Sequence, residues 1–124
     1  MYRKKILFIS GTRADFGKIK SLLHKLNNSK FFDYFIFVTG MHLMKKYGYT
    51  VNEIKKSGLN NLYLFRNNSE INKLSMDKIL AKTITGLSTY IKSSKPDMIV
   101  VHGDRLEALA GAIVGSFNNI FVSH

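Results

Sequence analysis

Apolar residues in this chain fall into short continuous runs separated by longer amphipathic stretches. Ile6-Leu7-Phe8-Ile9, Phe35-Ile36-Phe37-Val38 and Met98-Ile99-Val100-Val101 each read as a strand buried on both faces. Asn61 to Phe65 reads as a weaker strand at an edge, and Ile120-Phe121-Val122 begins a further one. Ile19, Leu22, Leu23 and Leu26 recur with helical spacing, which predicts an amphipathic helix starting near Asp15 and ending around Asn27-Asn28-Ser29. Residues 41–58 read as loop with one or two short helices, stopped at Gly58. A long helix is predicted from about Glu70 to Ser93. Leu80, Ile84, Leu87 and Ile91 form its apolar line, with Met76 and Tyr90 beside them. Pro96 ends it. Leu106, Leu109, Ala110, Ile113, Val114 and Phe117 describe one face of a last helix before the turn at Asn118-Asn119.

Strands alternating with helices imply right-handed crossovers and a parallel sheet. The expected architecture is α/β, a doubly wound, Rossmann-like parallel sheet with strand order near 3-2-1-4-5. His124 directly follows a buried strand, with no closing helix. The chain is therefore expected to be the front portion of a larger protein.

Composition narrows the function. With 19 Lys+Arg against 8 Asp+Glu the net charge is +11, which suits a nucleic acid, an anionic membrane surface or a small polyanion. The basic residues are dispersed, with 8 in residues 1–30, 4 in 31–60 and 7 in 61–124, and none stands in a run of five. No nucleic-acid-binding motif accompanies them, so neither nucleic acid nor membrane is expected as a partner. The absence of Cys removes disulfides, thiolate nucleophiles and zinc thiolate sites. No apolar run approaches the roughly 20 residues of a membrane helix, and the basic start lacks a signal-peptide core. A cytoplasmic location is expected.

In doubly wound sheets ligands bind beyond the carboxyl ends of the strands, where the strand order reverses. Two polar, glycine-containing loops converge there: Gly11-Thr12-Arg13-Ala14-Asp15-Phe16-Gly17 and His102-Gly103-Asp104-Arg105-Leu106-Glu107. The first has neither a Walker ending nor a G-x-G-x-x-G spacing, so a dinucleotide fingerprint is disfavoured. What it offers is a glycine turn, an arginine and a helix N-terminus, which together can hold a phosphate. Arg13 reads as a phosphate ligand or as a loop charge paired with Asp15. Asp15 reads as an N-cap or as the group orienting Arg13. Asp104 is either a helix cap or a general acid or base over the substrate, and Arg105 beside it either holds phosphate or keeps Asp104 ionised. Glu107 lies in the first helical turn, where acids are favoured in any case. His42, His102 and His124 all follow strand carboxyl ends. Each is either functional or a buried residue tied to a neighbouring loop. No pair has metal-ligand spacing, and no metal site is expected.

Gly11 to Lys18, Gly40-Met41-His42-Leu43 and Val101-His102-Gly103-Asp104-Arg105-Leu106-Glu107-Ala108 together resemble the UDP-N-acetylglucosamine 2-epimerases. Arg13-Ala14-Asp15-Phe16 and the Gly-Asp-Arg-x-Glu pattern at 103–107 resemble the hydrolysing branch, which feeds sialic-acid-type synthesis. The resemblance implies a GT-B-like enzyme of two Rossmann-like domains facing across a cleft, with this chain as most of the first. The Ile-Glu-Gly-Gly-Glu segment that such proteins show after a histidine like His124 is absent, so these residues alone are expected to be inactive. The resemblance assigns Arg13 to the nucleotide phosphates, Arg105 to UDP-sugar binding and Asp104 to catalysis. It places His42, His102 and His124 at the active-site rim. Gly17 and Glu107 complete the substrate-binding candidates, Gly17 at a position where some relatives carry Ser. The implied substrate is a UDP-sugar. No metal or nicotinamide cofactor is implied, and the full-length protein is expected to be a homo-oligomer.

Overall fold

The computed structural model describes residues 3–69, 71 and 73–124. The chain runs β1 (Lys4–Ser10), α1 (Arg13–Asn27), β2 (Phe32–Val38), two 3₁₀ turns (Gly40–Leu43 and Lys45–Tyr47), α2 (Val51–Lys56), β3 (Leu62–Leu64), α3 (Met76–Ser94), β4 (Met98–Val100), α4 (Leu106–Phe117) and β5 (Phe121–Ser123). All neighbouring strands pair in parallel, in the order β3-β2-β1-β4-β5. The Rossmann-like sheet expected from the sequence is therefore present, with its reversal between β1 and β4.

Strand side chains alternate between two cores, so a sheet covered on both faces must be apolar at nearly every position. Phe8, Tyr34, Ile36 and Val38 pack with Phe16, Ile19 and Leu23 of α1 and with Val51 and Ile54 of α2. Leu7, Ile9, Phe37 and Ile99 point the other way, onto Leu87 and Ile91 of α3 and onto Ala108 and Val114 of α4. From that second core Phe37 stacks on Tyr63, and Tyr63 on Tyr90 with ring centroids 4.2 Å apart. No helix among the described residues is long and apolar enough to cross a membrane.

Three expectations need correction. The long helix begins at Met76; residues 73–75 are not helical, and Glu70 lies outside the described residues. In α1, Leu22 is exposed, and the buried line is Phe16, Ile19 and Leu23 with Asp15. In α4 the buried face is Glu107, Ala108, Ala110, Gly111, Val114 and Gly115, whereas Leu109 and Phe117 are 50% and 83% exposed. The reason is the closeness of packing. A methyl group at Gly111 would lie 2.5 Å from Val101 Cγ1 and 2.6 Å from Ile9 Cδ1, so at this close approach of helix and sheet no side chain fits. Hydrophobicity selects the wide side of the helix; sterics select the narrow one. Gly86 of α3 serves the same purpose against the ring of Phe65.

This packing predicts opposite outcomes for two substitutions on one helix. Gly111→Val overpacks the interface and is expected to destabilise the fold by about 1–3 kcal/mol. Leu109→Ala on the open side should change stability by no more than about 0.5 kcal/mol. Urea unfolding of both variants measures the difference; equal effects would place the wrong face inward.

Candidate active site

The site is built on the loops that leave β1 and β4 on either side of the reversal. β1 ends at Ser10, and Thr12 caps α1 in extended backbone geometry. Thr12 Oγ1 accepts from the Asp15 N–H at 3.1 Å, and Asp15 Oδ2 accepts from the Thr12 N–H at 3.1 Å and the Gly11 N–H at 3.3 Å. This is a capping box, with Asp15 in its third position and not at the N-cap. The carboxylate also reaches across the reversal, since Asp15 Oδ1 stands 3.8 Å from His102 Nδ1. On its other side the β4–α4 loop is tied down by His124, whose Nε2 lies 2.7 Å from the Gly103 carbonyl oxygen. Gly103 has φ +85°, a left-handed turn that glycine adopts without strain and that sets the direction of the next residue, Asp104.

Asp104 is exposed and borders an open hollow of about 400 Å³ shared with Val101, Gly103, Arg105 and His124. It does not cap α4: the N-cap position is Arg105, whose side chain makes no capping hydrogen bond. Of the two readings of Asp104, the capping one is therefore removed. Arg13 projects from the start of α1 and pairs with Glu53 of α2 at 3.1 Å, not with Asp15, and its side chain remains 74% exposed. Gly17 is exposed on the outer side of α1 with open space around it, so no side chain is sterically barred there.

Two of the expected binding residues lie beneath the surface. His42 is completely buried, with Nε2 2.7 Å from Ser10 Oγ and Nδ1 2.8 Å from Thr50 Oγ1. Burial pushes its pKa down to about 4, against the opposing pull of Asp15 and a backbone hydrogen bond with Thr12. A neutral imidazole has one donor and one acceptor, and the two hydroxyls satisfy both in either tautomer. It joins the end of β1 to the start of α2. Glu107 is 4% exposed. Its Oε2 has no hydrogen-bond partner and lies 3.7 Å from Arg105 Nε. Burial raises its pKa; a hydrogen bond from its own backbone N–H and the charge of Arg105 oppose the shift, and Asp15 reinforces it. A cavity of about 190 Å³ adjoins it, lined also by Gly40, Met41, Asn67 and Arg105. The described residues hold no cluster of three metal-ligating side chains.

The sequence did carry one signal for the first loop: Thr12-x-x-Asp15 is a capping-box spacing. Ser10 and Thr50, which hold His42, carry none, because they are brought together only by the parallel pairing of β1 and β2.

Comparison with known proteins places the chain among relatives of one family. The family profile described as UDP-N-acetylglucosamine 2-epimerase matches residues 24–124. The UDP-N-acetylglucosamine 2-epimerase of Neisseria meningitidis serogroup B is 46% identical over 98% of this chain and 32% of its own length. A UDP-N,N'-diacetylbacillosamine 2-epimerase (hydrolyzing) of Legionella pneumophila is 38% identical, over 98% of this chain and 32% of its own. Among solved structures, the Methanocaldococcus jannaschii UDP-GlcNAc 2-epimerase in complex with UDP-GlcNAc and UDP superposes with a TM-score of 0.78 at 26% identity, covering 97% of this chain and 32% of that one. The chain spans about a third of the length of the curated relatives it matches.

The buried histidine predicts a pH dependence of stability. Its folded pKa of about 4 lies below the ordinary 6.5, so between those values the unfolded chain binds a proton that the folded one refuses. Stability is full above about pH 6.5 and falls as the pH drops toward 4, by on the order of 3 kcal/mol at most for a shift of this size. Glu107, shifted upward, works in the opposite direction over its own window. Unfolding of wild type and His42→Gln at pH 7 and pH 5 isolates the histidine. The variant is expected to lose less stability across that interval, and an equal loss would mean that His42 is protonated in the fold.

Proposed function

The chain belongs to the UDP-N-acetylglucosamine 2-epimerase family, and on that premise we propose that its protein is a hydrolysing epimerase that converts UDP-N-acetylglucosamine to UDP and N-acetylmannosamine. In this reaction a base removes the proton from C2 of the sugar, and the C1–O bond to UDP breaks. A 2-acetamidoglucal remains, and water adds across its double bond to give the 2-epimer. Overall one nucleotide sugar and one water become UDP and a free sugar. The C2 proton is weakly acidic and the leaving group is a diphosphate, so the site needs a placed carboxylate and cations close together.

The observation that carries this reading is the exposed carboxylate of Asp104 beside Arg105 and His124, on a loop oriented by Gly103 at the strand reversal. Asp104 serves as the base that takes the C2 proton. Arg105 and Arg13 hold the diphosphate, with Arg13 exchanging Glu53 for a phosphate. His102 and His124 border the crevice, while His42 acts from below by fixing the first loop. The net charge of +11 suits a dianionic substrate. The hydrolysing outcome is supported by the Arg13–Phe16 and Gly103–Glu107 patterns and by the name of the Legionella relative. That same name supports a second reading, in which the substrate is a UDP-2,4-diacetamido-trideoxyhexose. A role in sialic-acid-type synthesis belongs to the first reading, and a homo-oligomeric cytoplasmic enzyme fits either.

Product analysis in D₂O tests the proposal on the full-length protein. UDP-N-acetylglucosamine should yield free N-acetylmannosamine with deuterium at C2 and stoichiometric UDP. Accumulation of UDP-N-acetylmannosamine would show the non-hydrolysing reaction, and turnover of only the diacetamido sugar would select the second reading.

Two substitutions separate the roles. Asp104→Asn should lower kcat by about 10²–10⁴ while UDP affinity stays near wild type, because it removes a proton acceptor and no phosphate contact. Arg13→Ala should weaken UDP binding by about 1.5–3 kcal/mol, the value of a charge-assisted hydrogen bond. Calorimetry with UDP and a UDP-release assay read both. Near-normal turnover by Asp104→Asn, or unchanged affinity of Arg13→Ala, would remove the corresponding residue from the site.

A further inference from the structure

Glu107 is an acid of the first helical turn, where acids are favoured, but it is a buried one. It is only 4% exposed, and its Oε2 accepts no hydrogen bond. Burying a carboxyl group with one oxygen left without a hydrogen bond costs stability, and an apolar side chain of the same size would fill the position without that cost. The surroundings are shaped to it nonetheless. A methyl group at Gly11 would lie 2.6 Å from Glu107 Oε1, and one at Gly40 would lie 2.5 Å from the same atom. The loops leaving β1 and β2 both carry glycine where this carboxyl passes, and Gly40 has φ +63° besides. The other oxygen faces the guanidinium of Arg105, 3.7 Å away, whose side chain is still 42% exposed at the crevice. Solvent does not reach Oε2, the oxygen that faces Arg105, so that oxygen acts on the crevice through the guanidinium.

We propose that Glu107 is a positioning residue that holds Arg105 toward the ligand, its carboxyl wedged between the Gly11 and Gly40 loops and its Oε2 directed at the guanidinium. The inference rests on the reading that Arg105 binds the diphosphate. The charged groups acting on Glu107 are Arg105, from the start of its own helix, and Asp15, from the β1–α1 loop. Its ionised form is favoured by a hydrogen bond from its own backbone N–H and by the arginine it orients, while burial, the larger effect, opposes both together with Asp15.

The test uses Glu107→Gln, Arg105→Ala and the double variant of the full-length protein, with UDP calorimetry and thermal unfolding at pH 8. Glu107→Gln keeps the wedge and loses the charge. It should melt no lower than wild type and bind UDP about tenfold more weakly, as for loss of a charge-assisted contact. The double variant should bind no more weakly than Arg105→Ala alone. Wild-type affinity in Glu107→Gln, independent losses that multiply in the double variant, or weakened binding that merely accompanies a lowered melting temperature would each overturn the proposal. A second readout needs no nucleotide. The Glu107 carboxyl, followed by ¹³C NMR in labelled protein, should titrate at higher pH in Arg105→Ala than in wild type. If wild type fails to bind UDP, the epimerase reading falls separately. An upward shift on Arg105→Ala then still supports the Glu107–Arg105 coupling, and an unchanged titration overturns it.

Discussion

Adjacent parallel strands whose chains leave in opposite directions open a gap at their carboxyl ends, and the geometry of the candidate site depends on how that gap is bridged. Asp15 spans it. One oxygen of its carboxylate gathers the Gly11 and Thr12 N–H groups of the β1–α1 loop, and the other faces His102 of the β4–α4 loop. A carboxylate that accepts backbone N–H groups at a helix start is stabilised both by those hydrogen bonds and by the helix dipole. Position three of a capping box is therefore a firm anchor for a second loop. From it follow the place of Gly103, the direction of Asp104 and the reach of His124.

Beneath that surface lie two buried titratable groups with opposite shifts. His42 is held neutral between two hydroxyls, and Glu107 is held against the cost of burial beside an arginine. The first is a satisfied polar link of the kind that closes a loop at small net cost. The second is not satisfied: its Oε2 lacks a hydrogen bond. Such unpaired groups gather where function overrides packing. The contrast separates residues that make the crevice rigid from those that charge it.

The architecture is readable in the chain because its signals are redundant. Each central strand is a continuous apolar run, the long helices have a period, and Pro96, Gly11, Gly40, Gly58 and Gly103 fall at junctions. The location of the crevice follows from strand order alone. The faces of α1 and α4 are harder. Leu22, Leu109 and Phe117 look like core residues by hydropathy, yet the sheet approaches α4 so closely that Gly111 and Ala110 take the inner side. Once that face is misassigned, Glu107 reads as an ordinary first-turn acid, and its burial stays hidden. Likewise Arg13 finds Glu53, a partner 40 residues away that no local spacing indicates.

The family assignment covers about a third of the relatives' length, and the role proposed for that third is to hold a carboxylate and cations at one wall of a nucleotide-sugar site. The most direct test is to follow backbone amide resonances during titration with UDP. If the crevice is the site, the largest shifts fall on residues 11–15 and 102–105, flanking the β1–β4 reversal. Shifts concentrated instead around Lys45, Lys46 and Lys73, which line a separate hollow of about 680 Å³, would contradict the account.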